Sequence, residues 1–163
     1  MNLGKRLLIL FLTSLVCVGT DRSTKVLAAI HLPRDVMHSY FYDILRIGYS
    51  ENRGALLGLG NSLPAELRFW IFTVGVALIL FLLLGYILVD TEQTTYTMVG
   101  FSMIFSGGIN NLYDRIVNNG AVVDFLNLGI GPIRTGIFNA ADMAILVGIP
   151  VLLLAQSRYN SAN

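Results

Sequence analysis

The sequence predicts an integral membrane protein that is mostly α-helical, with four transmembrane helices, a small extramembrane β-sheet and a short interfacial helix. The chain of 163 residues is 55% hydrophobic and only 13% charged, and its mean hydropathy is +0.68. A water-soluble domain of this length needs far more polar surface. Four segments are apolar over roughly the 20 residues that cross a bilayer. We therefore expect a single membrane domain.

The predicted spans cover about residues 5–28, 69–89, 96–117 and 136–156. The second span carries no charged residue, so we expect it to face lipid. In the first span Asp21 and Lys25 lie four residues apart, and in the fourth Asn139 and Asp142 lie three apart, so each pair shares a helix face. Lipid offers polar groups no hydrogen-bond partners, so the polar faces should meet one another. The third span carries a stripe of small and polar residues: Gly107, Gly108, Asn111, Asp114 and Arg115.

The insertion at residues 31–67 is predicted to be rich in β-structure. Residues 40–49 are aromatic and branched with partial alternation, which indicates one or two short strands. Two turns follow, at residues 52–54 and 61–64, and the second leads into a short helix or directly into the next span. The aromatic residues favour a sheet that rests on the membrane surface. The second connection, residues 118–135, is predicted to be a loop with a turn around residues 129–132.

Asp124 and Asp142 lie at the margins of apolar segments, where an unpartnered charge costs on the order of 3 kcal/mol or more. Two neighbouring carboxyl groups cannot both ionise easily, so such a pair holds one proton and titrates as a unit. The pair can activate water as a general base while its protonated member polarises a peptide carbonyl. This is the chemistry of aspartyl proteases. The alternative is that Asp142, near a helix start, is only a helix cap or a structural acceptor.

The orientation in the membrane stays open on charge alone. With four spans, the polar ends of the first, third and fourth border the same side. Lys5 and Arg6 favour an inside N-terminus. Five arginines on the opposite side favour the reverse: Arg34, Arg46, Arg53, Arg68 and Arg134.

Several classes of function are disfavoured by composition and spacing. The net charge of +1 gives no reason to expect a nucleic-acid partner. His31 and His38 lack the spacing of a zinc pair and have no Glu between them, so we expect no metal or other cofactor. Cys17 is the one cysteine, and the bulky Val16 before it argues against a lipoprotein signal.

A transporter or proton channel is the principal alternative, because intramembrane aspartates serve proton relays. Four spans without an internal repeat are few for alternating access, and the polar residues gather at one face. A presenilin-like protease would have an aspartate directly after Gly-x-Gly, whereas Pro132 follows Gly131 here. A structural scaffold would leave the convergence of amides and carboxylates unexplained.

Five motifs in order along the chain resemble those of the lipoprotein signal peptidase family, also called signal peptidase II. The length and the number of predicted spans are also typical of the family. The motifs are Asp21 with Lys25, Asn52-Arg53-Gly54-Ala55, the stretch from Gly107 to Arg115, Val122-Val123-Asp124-Phe125 and Phe138-Asn139-Ala140-Ala141-Asp142.

The resemblance implies an intramembrane aspartyl endopeptidase of the bacterial inner (cytoplasmic) membrane. Members remove the signal peptide from prolipoproteins, cutting just before a cysteine that carries a diacylglyceryl group. Asp124 and Asp142 match the catalytic pair. Both termini would be cytoplasmic, with the active site near the periplasmic face and residues 31–67 in the periplasm. We expect a monomer whose partners are such signal peptides and membrane lipid.

Other matched positions would bind substrate or support the site. Asn111 and Asn139 could bond the scissile peptide or hold a catalytic carboxylate. Arg115 could hold Asp114 or a substrate carbonyl, or it could reach toward lipid headgroups. Asp21 and Lys25 could be no more than a mutually neutralising pair. The full set is Asp21, Lys25, Asn52, Gly54, Gly108, Asn111, Asp114, Arg115, Asn139 and Ala141.

Overall fold

Four helical rods and a small antiparallel sheet make up the part of the chain that the structure describes. The computed structural model describes residues 1–34, 36–55 and 59–162, with side chains described as far as Ala155. The rods are α1 (Leu3–His31), a continuous helix Ala65–Val89, α4 (Thr95–Val117) and α5 (Ala140–Ala162). The mostly helical fold with a small sheet is thus confirmed. Among the described residues, Leu3–His31 and Ala65–Val89 are long and apolar enough to cross a membrane, and Ala140–Ala155 is a shorter apolar helix.

The helix Ala65–Val89 has three parts. It begins as α2 (Ala65–Arg68), continues as a π-helix over Phe69–Gly75, and ends as α3 (Val76–Val89). Pro64 precedes its first residue, a position that suits proline because the missing N–H has no helical partner there. Ile79 and Phe81 are exposed, whereas Leu80 is buried. The rod therefore presents one apolar surface outward and packs inward through a few side chains.

Helix α4 is the centre of the bundle, because it contacts α1, α3 and α5. Small residues let the helices approach closely. A Cβ atom on Gly107 would lie 2.4 Å from the backbone oxygen of Ala141 in α5, and one on Gly108 would lie 2.6 Å from the side chain of Leu80 in α3. Neighbouring glycines thus serve two different helix interfaces.

The sheet contains strands β1 (His38–Tyr40), β2 (Leu45–Asn52), β3 (Val122–Ile130) and β4 (Ile133–Arg134) in that order, each antiparallel to its neighbour. The strands predicted in the insertion are present. The prediction of a plain loop over residues 118–135 is wrong, because β3 and β4 lie there. The β2–β3 register places Ser50 opposite Asp124, with an irregularity between Ile47 and Ser50.

The last helix begins later than the predicted span at 136. Phe138 forms an isolated antiparallel bridge with Leu126 of β3, and its backbone N–H donates to the Leu126 oxygen at 2.8 Å. This pairing holds the backbone extended up to Asn139, so α5 starts at Ala140. The same bridge brings the start of α5 against the strand that carries Asp124.

Candidate active site

Asp124 is a buried carboxylate on β3, only 1% exposed. Its Oδ1 accepts a hydrogen bond from Asn139 Nδ2 at 2.6 Å, and its Oδ2 accepts one from Asn52 Nδ2 at 3.0 Å. Asn52 is the last residue of β2, which pairs with β3. The sheet therefore positions both Asp124 and one of its donors.

Asp142 lies in the first turn of α5 and is held from two sides. Its Oδ1 accepts from Asn111 Nδ2 of α4 at 2.8 Å, and its Oδ2 accepts from the backbone N–H of Asn139 at 3.2 Å. Asn139 Oδ1 in turn accepts from the backbone N–H of Asp142 at 2.9 Å. This reciprocal pattern is a capping box, with Asn139 as the N-cap. Asp142 therefore supports the helix start and also faces the polar centre.

Asn139 connects the two aspartates. Its side-chain amide donates to Asp124 while its backbone N–H donates to Asp142. The side chain is fully buried, and its amide also lies 3.2 Å from Asn111 Oδ1. We call Asp124 and Asp142 the aspartate pair. Each member contacts neutral amides, and one asparagine residue reaches both.

The pKa of Asp124 is raised to about 7, first by burial and then by the negative charge of Asp142. The hydrogen bonds from Asn52 and Asn139 act in the opposite direction, because they favour the ionised form. Near neutral pH the Asp124 carboxyl therefore exchanges readily between its two protonation states. A group of this kind is suited to acid–base catalysis, which is most efficient when the pKa lies near the working pH.

Four charged residues form an ion cluster beside the aspartate pair: Asp21, Arg22 and Lys25 of α1, and Asp114 of α4. Lys25 Nζ lies 2.8 Å from Asp21 Oδ2 and 2.8 Å from Asp114 Oδ2. Arg22 Nη2 contacts Asp114 Oδ1 and lies 3.6 Å from Asp21 Oδ2. Two cations and two anions balance. Asp21 and Lys25 are thus not an isolated pair, because Asp114 completes the contacts of the ammonium.

Two hydrogen bonds connect the ion cluster to the aspartate pair. Lys25 Nζ donates to Asn111 Oδ1 at 3.1 Å, which turns the amide nitrogen of Asn111 toward Asp142. Asp21 Oδ1 accepts from the backbone N–H of Ala141 at 2.9 Å, and so satisfies a free donor at the start of α5. The ion cluster therefore orients Asn111 and fixes the first turn that carries Asp142.

Comparison with known proteins identifies the family. Residues 13–158 match the model of the family described as signal peptidase (SPase) II. The chain belongs to the signal peptidase II family. Its relatives include the lipoprotein signal peptidase of Oleidesulfovibrio alaskensis, 31% identical over 94% of this chain and 97% of that protein. The lipoprotein signal peptidase of Chlorobium phaeobacteroides (strain BS1) is 32% identical over 91% of this chain and 96% of that one.

Solved structures agree with this assignment. A bacterial membrane enzyme determined by the in meso method at 2.3 Å resolution superposes with a TM-score of 0.78 and 26% identity, covering 98% of this chain and 92% of that one. A second, at 1.9 Å resolution, gives a TM-score of 0.74 and covers 94% and 92%. Membership in the signal peptidase II family makes this chain a peptidase and favours that function over a transporter or channel.

Arg115 of this signal peptidase II chain holds the loop after β2. Its Nη2 donates to the backbone oxygen of Gly54 at 2.8 Å, and its Nη1 lies 3.3 Å from the backbone oxygen of Asn111. Of the alternatives considered for Arg115, a contact with Asp114 is not seen in the described part of the chain, where Lys25 and Arg22 hold that carboxylate. A Cβ atom on Gly54 would lie 2.3 Å from the Leu59 oxygen, so the loop needs glycine there.

Two further predicted site residues, Ala141 and Gly108, have different surroundings. Ala141 contributes its backbone N–H to Asp21. Gly108 packs against Leu80 of α3 and lies away from the carboxylates. Across residues 1–34, 36–55 and 59–162, no three His, Cys, Asp or Glu side chains converge as a metal site would require.

The patterns in the sequence did not point to Arg22 as a site residue. Its guanidinium neutralises Asp114 and lies over the ring of Tyr113, 5.1 Å from the centroid. A signal was available, because a charged residue within an apolar span needs a partner. Asp21 and Lys25 already form a pair at helical spacing, so the third charge pointed to a further acidic residue on another helix.

Proposed function

We propose that this member of the signal peptidase II family is an aspartic endopeptidase whose catalytic residues are Asp124 and Asp142. One observation carries the proposal: a single residue, Asn139, donates to Asp124 from its side chain at 2.6 Å and to Asp142 from its backbone at 3.2 Å. The two carboxyl groups are thereby held around the same asparagine. The raised pKa of Asp124, caused by burial and by Asp142, supports a shared proton.

In the resting state of this proposal Asp124 holds the proton and Asp142 is ionised. Asp142 lies at the N-terminus of α5, where the helix dipole favours a negative charge. Asn111 and the backbone of Asn139 donate to it. Asp142 is therefore the general base, and Asp124 is the acid that polarises the scissile carbonyl.

The reaction then balances without a covalent intermediate. Asp142 takes a proton from water as the water oxygen bonds to the carbonyl carbon, and Asp124 gives its proton to the carbonyl oxygen. In the second step the C–N bond breaks and the nitrogen takes the proton from Asp142. Asp124 regains its proton from one hydroxyl of the tetrahedral carbon. Asn52, Asn111 and Asn139 hold the two carboxyl groups in place throughout.

The proposed substrate is a prolipoprotein that carries a diacylglyceryl group on its cysteine, cut on the N-terminal side of that cysteine. The relatives named above are lipoprotein signal peptidases. A signal peptide lies in the bilayer, so its approach must be lateral, from lipid. The exposed apolar faces of α1 and of Ala65–Val89 suit a lipid environment.

We also propose four spans in the bacterial inner membrane, with both termini cytoplasmic and the sheet and aspartate pair at the periplasmic side. The end of α1, the start of Ala65–Val89, the end of α4 and the start of α5 all adjoin the segments that form the sheet. The chain would act as a monomer, because both aspartates and all their donors come from one copy.

The test is cleavage of a diacylglyceryl-modified precursor by the purified protein in detergent. Asp124→Asn and Asp142→Asn each remove an ionisable group while keeping its volume, and each should lower kcat/KM by about 10³-fold or more. Asp43→Asn is the control, because Asp43 lies in the turn between β1 and β2 and bonds Arg46, not the aspartate pair or its donors. Full activity in either of the first two variants would refute the assignment, and so would loss of activity on adding a chelator.

A further inference from the structure

A cavity of about 130 Å³ lies between the start of the helix Ala65–Val89 and the end of α4. Three arginines line it: Arg53 of the loop after β2, Arg68 at the end of α2, and Arg115 of α4. The aromatic rings of Phe69 and Phe72 lie next to them. Among the described residues that line this arginine cavity, none carries a negative charge. The cavity therefore concentrates positive charge within a mainly apolar protein.

The charges of these arginines are poorly neutralised by the protein itself. Arg68 Nη1 donates to the backbone oxygens of Asn61 and Leu63 at 2.8 and 3.0 Å. Arg53 reaches its nearest carboxylate, Glu51, only at 3.9 Å. Within the described ranges neither Arg68 nor Arg115 has a carboxylate oxygen within 4 Å.

Arg115 has an additional unsatisfied group. Its Nε is buried and has no hydrogen-bond partner in the part of the chain that the structure describes. Buried polar groups are ordinarily bonded, and one without a partner calls for an explanation. An anion in the cavity would supply both the missing acceptor and the missing charge. The ion cluster differs in its charge balance: the Nε of Arg22 is also buried without a partner among the described residues, but each cation there has carboxylate partners.

The arginine cavity adjoins the first turn of an apolar helix, a position that suits the depth of lipid headgroups. Arg68 is in the first turn of the apolar rod Ala65–Val89, and the next two residues, Phe69 and Trp70, are 53% and 57% exposed. Aromatic side chains at the end of a membrane helix are typical of the interface between lipid and water. Arg115 is close to the end of α4 on the same side.

We propose that the arginine cavity binds the phosphate of an anionic phospholipid from the leaflet on the sheet side of the membrane. Guanidinium groups match phosphate oxygens in geometry and bind them in pairs. Phe69 and Phe72 continue the cavity along the rod, where an acyl chain would lie. This apolar continuation favours a lipid over free phosphate.

Trp70 provides a direct measurement. It is the only tryptophan in the chain and is two residues from Arg68. Vesicles are prepared from phosphatidylglycerol and phosphatidylcholine, with bromine atoms on the acyl chains of one lipid or the other. Brominated phosphatidylglycerol should quench the fluorescence of Trp70 about fivefold more effectively per lipid than brominated phosphatidylcholine. This ratio corresponds to the contribution of one well-placed arginine, about 1 kcal/mol. Arg68→Gln should reduce this preference to near equality. Quenching requires no catalysis, so the outcome is independent of the proposed hydrolysis.

Arg34→Gln is the matched control. It removes the same charge on the same side of the membrane, but Arg34 pairs with Glu51 at 2.9 Å and does not line the arginine cavity. Its preference should equal that of the parent. Arg53→Gln offers a second test should Arg68→Gln fold poorly, because Arg53 is exposed and makes only the long contact to Glu51.

Three results would overturn the proposal. The first is equal quenching by the two lipids in the parent protein, and the second is an undiminished preference in both Arg68→Gln and Arg53→Gln. The third is loss of the lipid preference when millimolar inorganic phosphate, but not chloride at equal ionic strength, is added, which would assign the site to a soluble oxyanion. If the first result is accompanied by a rise in KM of Arg68→Gln for precursors with acidic residues after the cysteine, the cavity binds the substrate instead of a lipid.

Discussion

Two groups of aspartates lie side by side in this protein, all of them buried except the half-buried Asp142, and they are neutralised differently. In the ion cluster, Asp21 and Asp114 contact the charged groups of Lys25 and Arg22. In the aspartate pair, Asp124 and Asp142 contact only asparagine amides and backbone N–H groups. Both groups lie at the same end of the bundle.

The difference separates structural carboxylates from reactive ones. A cation within 3 Å neutralises the charge of a carboxylate, so Asp21 and Asp114 are suited to hold helices together. A neutral amide orients a carboxylate without cancelling its charge, so burial and the second aspartate still raise the pKa of Asp124 to about 7. Neutral donors thus position an acid while leaving its proton exchangeable.

The largest expected contrast is in stability. Lys25→Met leaves Asp21 and Asp114 buried with Arg22 alone, which should lower the free energy of unfolding by about 3–5 kcal/mol. Asp124→Asn at pH 8 should not destabilise the protein, because it removes a buried carboxylate that is costly to ionise. Thermal unfolding of both variants in one detergent at pH 8 measures the contrast. Equal losses of stability would show that the two groups of aspartates have the same role.

The next effect concerns the amide that joins the aspartate pair. Asn139→Ser keeps an oxygen that can cap α5, but it loses the Nδ2 donor to Asp124. We expect kcat/KM to fall about 10²-fold, as for the loss of a positioned catalytic hydrogen bond, with little change in melting temperature. Asn110→Ala is the control, because Asn110 is also buried but has no recorded bond to either aspartate in the described chain. A similar loss in both variants would argue for general packing.

The smallest effect is a shift along the pH axis. As the pH rises past about 7, Asp124 loses its proton and kcat/KM should decline. Asn52→Leu removes a donor that lowers the pKa of Asp124, so the decline should move to higher pH by about 0.7 unit, the equivalent of a hydrogen bond of about 1 kcal/mol. Asn127→Leu, at a buried asparagine of β3 bonded to Thr135 and Arg134, should leave the profile in place.

Stability should follow the same titration with a defined sign. The pKa of Asp124 is raised on folding, so the folded state holds this proton more tightly than the unfolded chain. Its contribution to the free energy of unfolding is therefore greatest below about pH 4 and declines as the pH rises to about 7. In Asp124→Asn this component of the pH dependence should disappear. An unchanged dependence would contradict a raised pKa.

The helices could be predicted from sequence because apolar length is a local property. The polar stripe of α4 was also visible, since helical spacing places Asn111 and Asp114 on one face. Strand β3 was not predicted, because its pairing with β2 joins residues far apart in the chain, such as Asn52 and Val122. Strand β4 pairs with β3 locally, but it has only two residues and so leaves no alternating pattern. Residues 129–132 resemble a turn, and they do form the tight connection between these two strands.

The residues of the candidate site were easier to predict from the sequence than the hydrogen bonds that join them. Two aspartates at the margins of apolar segments indicate function by their cost alone. Asn139 reaches both aspartates because of the β-bridge between Phe138 and Leu126. No local pattern in the sequence predicts this bridge. The contact of Arg115 with Gly54 likewise joins residues 61 positions apart in the chain, so no local pattern indicates it.

The π-helical stretch Phe69–Gly75 determines the position of Arg68 around the helix axis relative to the residues of α3. Each residue of an α-helix advances about 100° around the axis, and a π-turn accommodates one residue more than an α-turn does. Deleting a single residue here would restore a uniform rod and swing Arg68 roughly a quarter turn away from Arg115. The number of residues in this stretch therefore determines the rotational position of Arg68 around the helix axis. A deletion or insertion there would separate the three arginines in space while leaving all of them in the sequence.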